Sequence, residues 1–222
     1  MKPFLHDEVF CPSENYEVRQ ETLDNGMPLL IVDNYFKNFD ALREIVGNSP
    51  AGNWKMWGET RNFQDYYDCR ISFTAKQEKL FHDTSQLIWN NFHTRTSHNN
   101  PTIDVNWFKQ IQHKRADFAW PHHDQVDNRP QFTCLVYLND TMTSSGGTAF
   151  FKLKEGKQAG IETGRDYWPE EEQQNWEMVD YIEMVPNRLI IFPAHYYHAA
   201  YHPTNYFDAA RLTLVYWMTK IE

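Results

Sequence analysis

Apolar residues in the first half of the chain recur every three or four positions, the spacing of helices that bury one face. One helix is predicted to begin after Asn38 and to end at Gly47. A second is predicted to begin near Thr74, which has capping-box spacing with Gln77. The buried face of this second helix would consist of Leu80, Thr84, Leu87, Ile88 and Phe92. A short buried strand, Pro28–Asp33, precedes both helices.

The second half of the chain has the pattern of strands, with short segments rich in β-branched and aromatic residues. The predicted strands are Val105–Ile111, Phe132–Leu138, Thr148–Leu153, Arg188–Phe192 and Arg211–Met218. Helices in one half and strands in the other favour an α+β, mainly β fold over alternating βαβ units. A series of short strands is typical of a jelly roll, in which two sheets enclose a ligand cavity. The N-terminal helices would then pack on one sheet.

A single domain over residues 1–222 is predicted, because the chain is long enough for one proper core. Residues 1–100 would form a helical and strand support region, and residues 101–222 the core. A polar segment at about residues 154–183 interrupts that core. It is interpreted either as a solvated surface loop or as a lid over the cavity, with Trp168 and Trp176 as the apolar contacts of a lid.

The composition narrows the class of protein further. The formal net charge is −9 and no run of basic residues occurs, which argues against a nucleic-acid partner. The three cysteines are scattered and never form a Cys-x-x-Cys pair, which favours a reducing cytosol over a disulfide scaffold. No apolar segment has the length of a signal-peptide core or of a membrane helix. We therefore expect a cytoplasmic protein with no membrane partner.

The segment Pro121-His122-His123-Asp124 is the first sign of chemistry. His122 and Asp124 are two positions apart, so on an extended strand both side chains leave the same face, while His123 points away. A second imidazole from a distant strand would complete two histidines and one carboxylate around a metal ion. That set leaves coordination positions open and is typical of non-haem Fe(II) oxygenases.

Three histidines could supply the third metal ligand. His195, His198 and His202 all follow the predicted strand Arg188–Phe192 and Pro193. Their spacing alone does not decide among them.

Arg211 and Thr213 form a second candidate site at the start of the last predicted strand. They are two positions apart and therefore share a face. A guanidinium group matches a carboxylate with two parallel hydrogen bonds and keeps its charge when it is buried. An arginine with a hydroxyl beside it on an otherwise apolar strand is what an enclosed carboxylate pocket requires.

Taken together, these motifs resemble the Fe(II)/2-oxoglutarate-dependent dioxygenases, most closely their prolyl-hydroxylase-like branch. The resemblance covers roughly the C-terminal half of the chain. It is carried by His122-His123-Asp124, the strand Phe132–Asp140, the turn Gly146-Gly147, the pair Phe192-Pro193 followed by His198, and Arg211.

This resemblance implies a double-stranded β-helix with iron at its open end and His198 as the third ligand. It implies that Tyr137 and Arg211 bind the distal carboxylate of 2-oxoglutarate. Gln112 stands where the family often has a tyrosine that lines the same pocket.

The leading hypothesis is therefore an Fe(II)/2-oxoglutarate-dependent oxygenase of the hydroxylase type. It would use O2 to hydroxylate an unactivated C–H bond of a small molecule, amino acid or peptidyl residue, with conversion of 2-oxoglutarate to succinate and CO2. Two alternatives are a cupin-like metalloenzyme that does not use 2-oxoglutarate and a non-catalytic jelly-roll binding module. The oligomeric state is left open, with a homodimer as one option.

Overall fold

The computed structural model describes residues 6–48, 55–56, 66–74, 78–97, 102–110, 121–125, 131–139, 146–157, 174–201 and 211–221. The helices in these residues are α1 (His6–Val9), α2 (Phe39–Gly47) and α3 (Glu78–Phe92). The strands of the first half are β1 (Glu17–Thr22), β2 (Pro28–Asp33), β3 (Lys55–Met56), β4 (Tyr66–Thr74) and β5 (Thr96–Ser97). Those of the second half are β6 (Thr102–Gln110), β7 (Gln131–Tyr137), β8 (Gly147–Leu153), β9 (Trp176–Glu183), β10 (Leu189–Pro193), β11 (Tyr197–Tyr201) and β12 (Arg211–Lys220).

The strands form two antiparallel sheets. The large sheet has the order β1-β2-β10-β7-β12-β6-β4-β3, and β5 pairs with β12. The small sheet has the order β11-β8-β9. Strand β2, from the first half, lies beside β10, so both halves of the chain build one sheet. The prediction of an α+β, mainly β jelly roll is confirmed.

Alternation along the central strands gives the large sheet two different faces. On β12, Leu214 and Tyr216 belong to a cluster that includes residues of α2 and α3. Val215, between them, belongs to a second cluster that includes residues of the small sheet. Since side chains alternate along a strand, Arg211 and Thr213 share the face of Val215. The helices therefore cover the outer face, as predicted, and the inner face with Arg211 is turned toward the small sheet.

An ion pair joins three strands next to this inner face. Arg188, directly before β10, donates two hydrogen bonds to the Asp33 carboxylate, Nε to Oδ1 at 2.6 Å and Nη2 to Oδ2 at 3.0 Å. Its Nη1 also donates to the carbonyl of Glu183, at the end of β9, at 3.2 Å. Because β9 belongs to the small sheet and Asp33 ends β2, the arginine holds the two sheets together at this end.

Two details of the sequence-based description are wrong. Thr74 ends strand β4 and pairs with Thr102, and helix α3 begins only at Glu78, so no helix starts at Thr74. Pairing with β6 overrides the local capping signal. Within the supposed insertion, Trp176–Glu183 is strand β9 of the small sheet. Trp176 is buried in a cluster with Ala149, Phe151 and Ala199, and Trp168 lies outside the described residues.

Among the described residues, none of the helices combines the length and the apolar character needed to cross a bilayer.

A hydroxyl cluster fixes helix α3 to the outer face. Thr84 Oγ1 lies 2.8 Å from the carbonyl oxygen of Leu80, to which it donates. It also lies 3.1 Å from the phenol oxygen of Tyr35 and 2.8 Å from that of Tyr216. Because its own proton goes to Leu80, the threonine accepts from both phenols, and all three hydroxyls are buried.

Replacing Thr84 with valine should lower the free energy of unfolding by about 1–3 kcal/mol, because two buried phenol hydroxyls lose their acceptor. Urea denaturation followed by circular dichroism measures the change. Thr84→Ser keeps the hydroxyl and should be the milder variant. A valine variant as stable as the wild type would show that the cluster does not anchor the helix.

Candidate metal centre

Backbone pairing brings the first two candidate ligands together. His122 and His198 form an isolated antiparallel bridge. The His122 N–H donates to the His198 carbonyl at 3.0 Å, and the His198 N–H donates to the His122 carbonyl at 2.8 Å. A directly opposed pair projects its side chains to the same side of a sheet. The two imidazole rings accordingly lie with their centroids 4.6 Å apart.

Asp124 is held by the turn that follows β10. Its N–H donates to the Ala194 carbonyl at 2.8 Å, and the Ala194 N–H donates to the Gln131 carbonyl at 2.8 Å. The segment around Asp124 is thus fixed on one side by this turn and on the other by the His122–His198 bridge.

The three side chains converge on one point. His122, Asp124 and His198 each offer a ligand atom, and these atoms all lie within 4.8 Å of one another. Asp124 Oδ1 is 3.8 Å from His122 Nε2, and Asp124 Oδ2 is 3.5 Å from His198 Nε2. The exposed fraction of the side chain falls from 45% for His122 to 16% for Asp124 and 7% for His198. The group is therefore exposed to solvent on the side of His122 and buried on the side of His198.

A backbone carbonyl orients the His198 ring. His198 Nδ1 lies 2.9 Å from the Tyr196 carbonyl oxygen, so Nδ1 carries the proton and donates it. The lone pair of Nε2 then faces Asp124, as a metal ligand requires. Burial lowers the pKa of His198 from 6.5 to about 4, although Asp124 acts in the opposite direction. The imidazole is therefore neutral at pH 7.

The Asp124 carboxylate is kept ionised. Burial raises its pKa, but the neighbouring His198 and His122 and the hydrogen bond from Thr133 outweigh burial, and the pKa lies below its usual value. The Thr133 hydroxyl donates to Asp124 Oδ2 at 2.8 Å. Two imidazole nitrogens and one carboxylate are a donor set that suits a divalent transition metal.

The second candidate site lies on the inner face of the large sheet, where β12 and β7 meet β8 of the small sheet. Arg211 Nη2 donates to Thr148 Oγ1 at 3.1 Å, and the Tyr137 hydroxyl donates to the same oxygen at 2.8 Å. The guanidinium carbon of Arg211 is 5.7 Å from the centroid of the Tyr137 ring. Thr213 is the direct cross-strand partner of Tyr137. The side chains of these four residues are all buried.

Arg211 is a buried cation without a counterion among the residues that the structure describes. Its Nε has no hydrogen-bond partner there, and no ion pair to it is formed. Its charge is the smallest of the causes that shift the pKa of His198, and it acts to lower that pKa. Burial raises the pKa of Tyr137 above its usual value, so the phenol next to Arg211 stays protonated.

Close packing of β8 on β9 explains the glycine that precedes Thr148. A Cβ atom at Gly147 would collide with the carbonyl oxygen of Ile182. The same carbonyl lies 3.2 Å from the Tyr137 hydroxyl. Glycine thus allows β9 to approach closely enough to form one wall of the Arg211 pocket.

The remaining sequence-based candidates fall elsewhere. His195 is exposed, and its ring contacts that of Tyr196 rather than the ligand group. The exposed His123 packs its ring against Tyr197, as alternation predicts. Gln112 and His202 lie outside the described residues.

Sequence reasoning missed Thr133, Thr148 and the Tyr196 carbonyl. Alternation along β7 puts Thr133 on the face of Tyr137 and was a usable signal. No feature of the sequence predicts that the Tyr196 carbonyl accepts a hydrogen bond from His198.

Comparison with known proteins assigns the family. A family model for the 2OG-Fe(II) oxygenase superfamily matches residues 108–219, half of the 222-residue chain. The chain therefore belongs to this superfamily, whose members are oxidoreductases that use Fe(II), 2-oxoglutarate and O2. The ligand group His122, Asp124 and His198 lies within the matched residues.

Several solved structures are similar to this chain at low sequence identity. The non-heme alpha ketoglutarate dependent carbocyclase SnoK from nogalamycin biosynthesis is 11% identical, with a TM-score of 0.58, covering 89% of this chain and 81% of that one. A prolyl hydroxylase from Trichoplax adhaerens, solved with a peptide of hypoxia inducible factor, is 13% identical, with a TM-score of 0.49, covering 86% and 83%. A prolyl-4-hydroxylase from Pseudomonas putida is 14% identical, with a TM-score of 0.45, covering 83% and 86%. No curated protein matches the sequence.

The pKa of His198 predicts how the metal-free protein responds to acid. In the unfolded chain the imidazole takes up a proton near pH 6.5, whereas in the folded protein it does so only near pH 4. Protons therefore favour the unfolded state between these values, and stability present above pH 6.5 is lost as the pH falls, by about 3 kcal/mol at pH 4.

Urea titrations of chelator-treated protein from pH 7 to pH 4 measure this loss. His198→Gln should flatten the pH dependence over this window, while His82→Gln, at an exposed position of α3, should leave it steep. Parallel curves for the wild type and His198→Gln would contradict the conclusion that folding lowers the pKa of His198.

Proposed function

We propose that His122, Asp124 and His198 hold Fe(II), and that Arg211 binds the distal carboxylate of 2-oxoglutarate. The protein would be an oxygenase of the hydroxylase type, acting on an unactivated C–H bond of a small molecule, amino acid or peptidyl residue. The observation that carries the proposal is the cluster of two imidazoles and one carboxylate, together with a buried arginine that has no counterion among the described residues.

The donor set supports Fe(II) at the first group. Imidazole nitrogen and carboxylate oxygen together suit this ion, and three protein ligands on one side leave three coordination positions for other molecules. When bound, the iron supplies the oxidative chemistry that couples O2 to decarboxylation of the 2-oxo acid. The family resemblance implies that a halogenating relative has a small residue in place of Asp124, so that halide can bind the iron. The carboxylate of Asp124 therefore favours hydroxylation.

The surroundings of Arg211 support a carboxylate ligand. An unpaired buried cation costs several kcal/mol, so a site that retains one is built for an anion. A guanidinium group binds a carboxylate with two parallel hydrogen bonds. Tyr137, Thr148 and Thr213 surround it with neutral hydroxyls, which can donate to carboxylate oxygens without repelling them. Gln112 stays a sequence-based prediction for the same pocket.

The role of the chain in the reaction is to bind, orient and exclude water. Arg211 would fix one end of the 2-oxo acid, and its keto end would reach the metal. The Tyr196 carbonyl keeps the His198 ring in the required tautomer and orientation. The apolar cluster that includes Phe150, Val179, Phe192 and Val215 would keep bulk water away from the site.

We also propose a small-molecule or peptidyl substrate, no nucleic-acid or membrane partner and a cytoplasmic location, with a homodimer as one option for the oligomeric state.

Anaerobic binding tests the proposal without knowledge of the substrate. Adding Fe(II) and 2-oxoglutarate to the metal-free protein should produce a visible charge-transfer band of a chelated keto acid. His122→Ala and His198→Ala should abolish the band. Arg211→Met should raise the 2-oxoglutarate concentration needed for half-saturation by roughly two orders of magnitude, because a buried charge pair is lost. Arg211→Lys should fall in between, since a point charge replaces the fork.

Arg19→Gln, at an exposed position of β1, is the control and should titrate like the wild type. Iron binding without a band would contradict the proposal and indicate a cupin-like metalloenzyme that does not use 2-oxoglutarate. Absence of iron binding would favour a non-catalytic member. If the band forms, admitting O2 to the complex with Fe(II) and 2-oxoglutarate should yield succinate, measured by mass spectrometry.

A further inference from the structure

Resting on the iron site proposed above, we infer that Thr133 is a positioning residue that decides how Asp124 binds the metal. Its hydroxyl holds carboxylate oxygen Oδ2, so that Oδ1 alone coordinates and the carboxylate cannot chelate with both oxygens. Thr133 touches neither metal nor substrate and acts only through Asp124.

The contact itself is short and selective for one oxygen. Thr133 Oγ1 donates to Asp124 Oδ2 at 2.8 Å. Oδ2 is 3.5 Å from His198 Nε2, whereas Oδ1 is 3.8 Å from His122 Nε2, on the solvent side of the group. The hydrogen bond fixes the rotation of the carboxylate and withdraws electron density from Oδ2. Oδ1 is therefore the stronger donor to a metal ion.

Strand pairing on both sides and burial restrict the Thr133 side chain. It lies within β7 and pairs with Phe192 of β10 on one side and with Trp217 of β12 on the other. The residue is fully buried. A β-branched side chain on a strand has few accessible χ1 rotamers. The hydroxyl therefore stays aimed at Asp124 whether or not a metal is bound.

The number of open coordination positions depends on this hydrogen bond. In a six-coordinate ion, two imidazoles and one carboxylate oxygen leave three positions, enough for a bidentate keto acid and O2. A carboxylate that binds through both oxygens would leave only two. Thr133 thereby keeps a coordination position open for O2.

The test counts metal-bound waters rather than turnover. Mn(II) is added anaerobically to the full-length protein, and water-proton relaxation measures the exchangeable waters on the ion. Thr133→Val should show one water fewer than the wild type, and its affinity for 2-oxoglutarate in the Mn(II) form should fall about tenfold or more. Thr133→Ser keeps the hydroxyl and should keep both values.

Thr219→Val is the matched control, since Thr219 is a buried threonine of β12 two positions beyond Trp217. It should match the wild type. If circular dichroism shows that Thr133→Val is misfolded, Thr133→Ala replaces it. An unchanged water count in a folded Thr133 variant without the hydroxyl overturns the role of Thr133 alone. Failure of the wild type to bind Mn(II) overturns the proposed iron site as well.

Discussion

The reciprocal backbone hydrogen bonds between His122 and His198 are the constraint on which the site depends. They join a short segment after residue 120 to β11, and β11 pairs in turn with β8 of the small sheet. One register fixes both imidazoles on the same side, because a slip by one residue would turn either ring to the opposite face. The turn after β10 then adds Asp124 through the Ala194 carbonyl. The metal-ligand group thus depends on sheet pairing as well as on the local spacing of His122 and Asp124.

The charge states of the buried groups between the two sheets are suited to bound ligands. Asp124 is ionised and His198 is neutral, so the group has the charge state in which it binds a cation. Arg211 is buried without a described counterion, which folding alone would not favour. Proteins break such local rules mainly at functional sites. A divalent metal and a carboxylate co-substrate would satisfy both groups at once.

Much of this arrangement could be predicted from the sequence, because buried positions recur with the period of the helix or strand to which they belong. Helix α2 and strand β2 have the expected bounds, and alternation correctly placed Arg211 and Thr213 on one face. The fold could not be read fully because β9 carries polar residues at exposed positions, and because β4 and β9 pair with β6 and β8, partners that are distant or unpredicted in the sequence. Spacing alone also left His195, His198 and His202 equivalent, and the family resemblance was needed to prefer His198. In the structure, pairing with His122 separates His198 from His195, and such a long-range contact leaves no periodic signal.

X-ray absorption of the Fe(II) protein tests the central claim most directly, because outer-shell scattering counts imidazole ligands. Two imidazoles and otherwise oxygen ligands are predicted for the wild type, with one imidazole remaining in His198→Ala. Scattering without imidazole ligands, or two imidazoles that persist when His198 is removed, would contradict the claim that the His122–His198 pairing builds the metal centre.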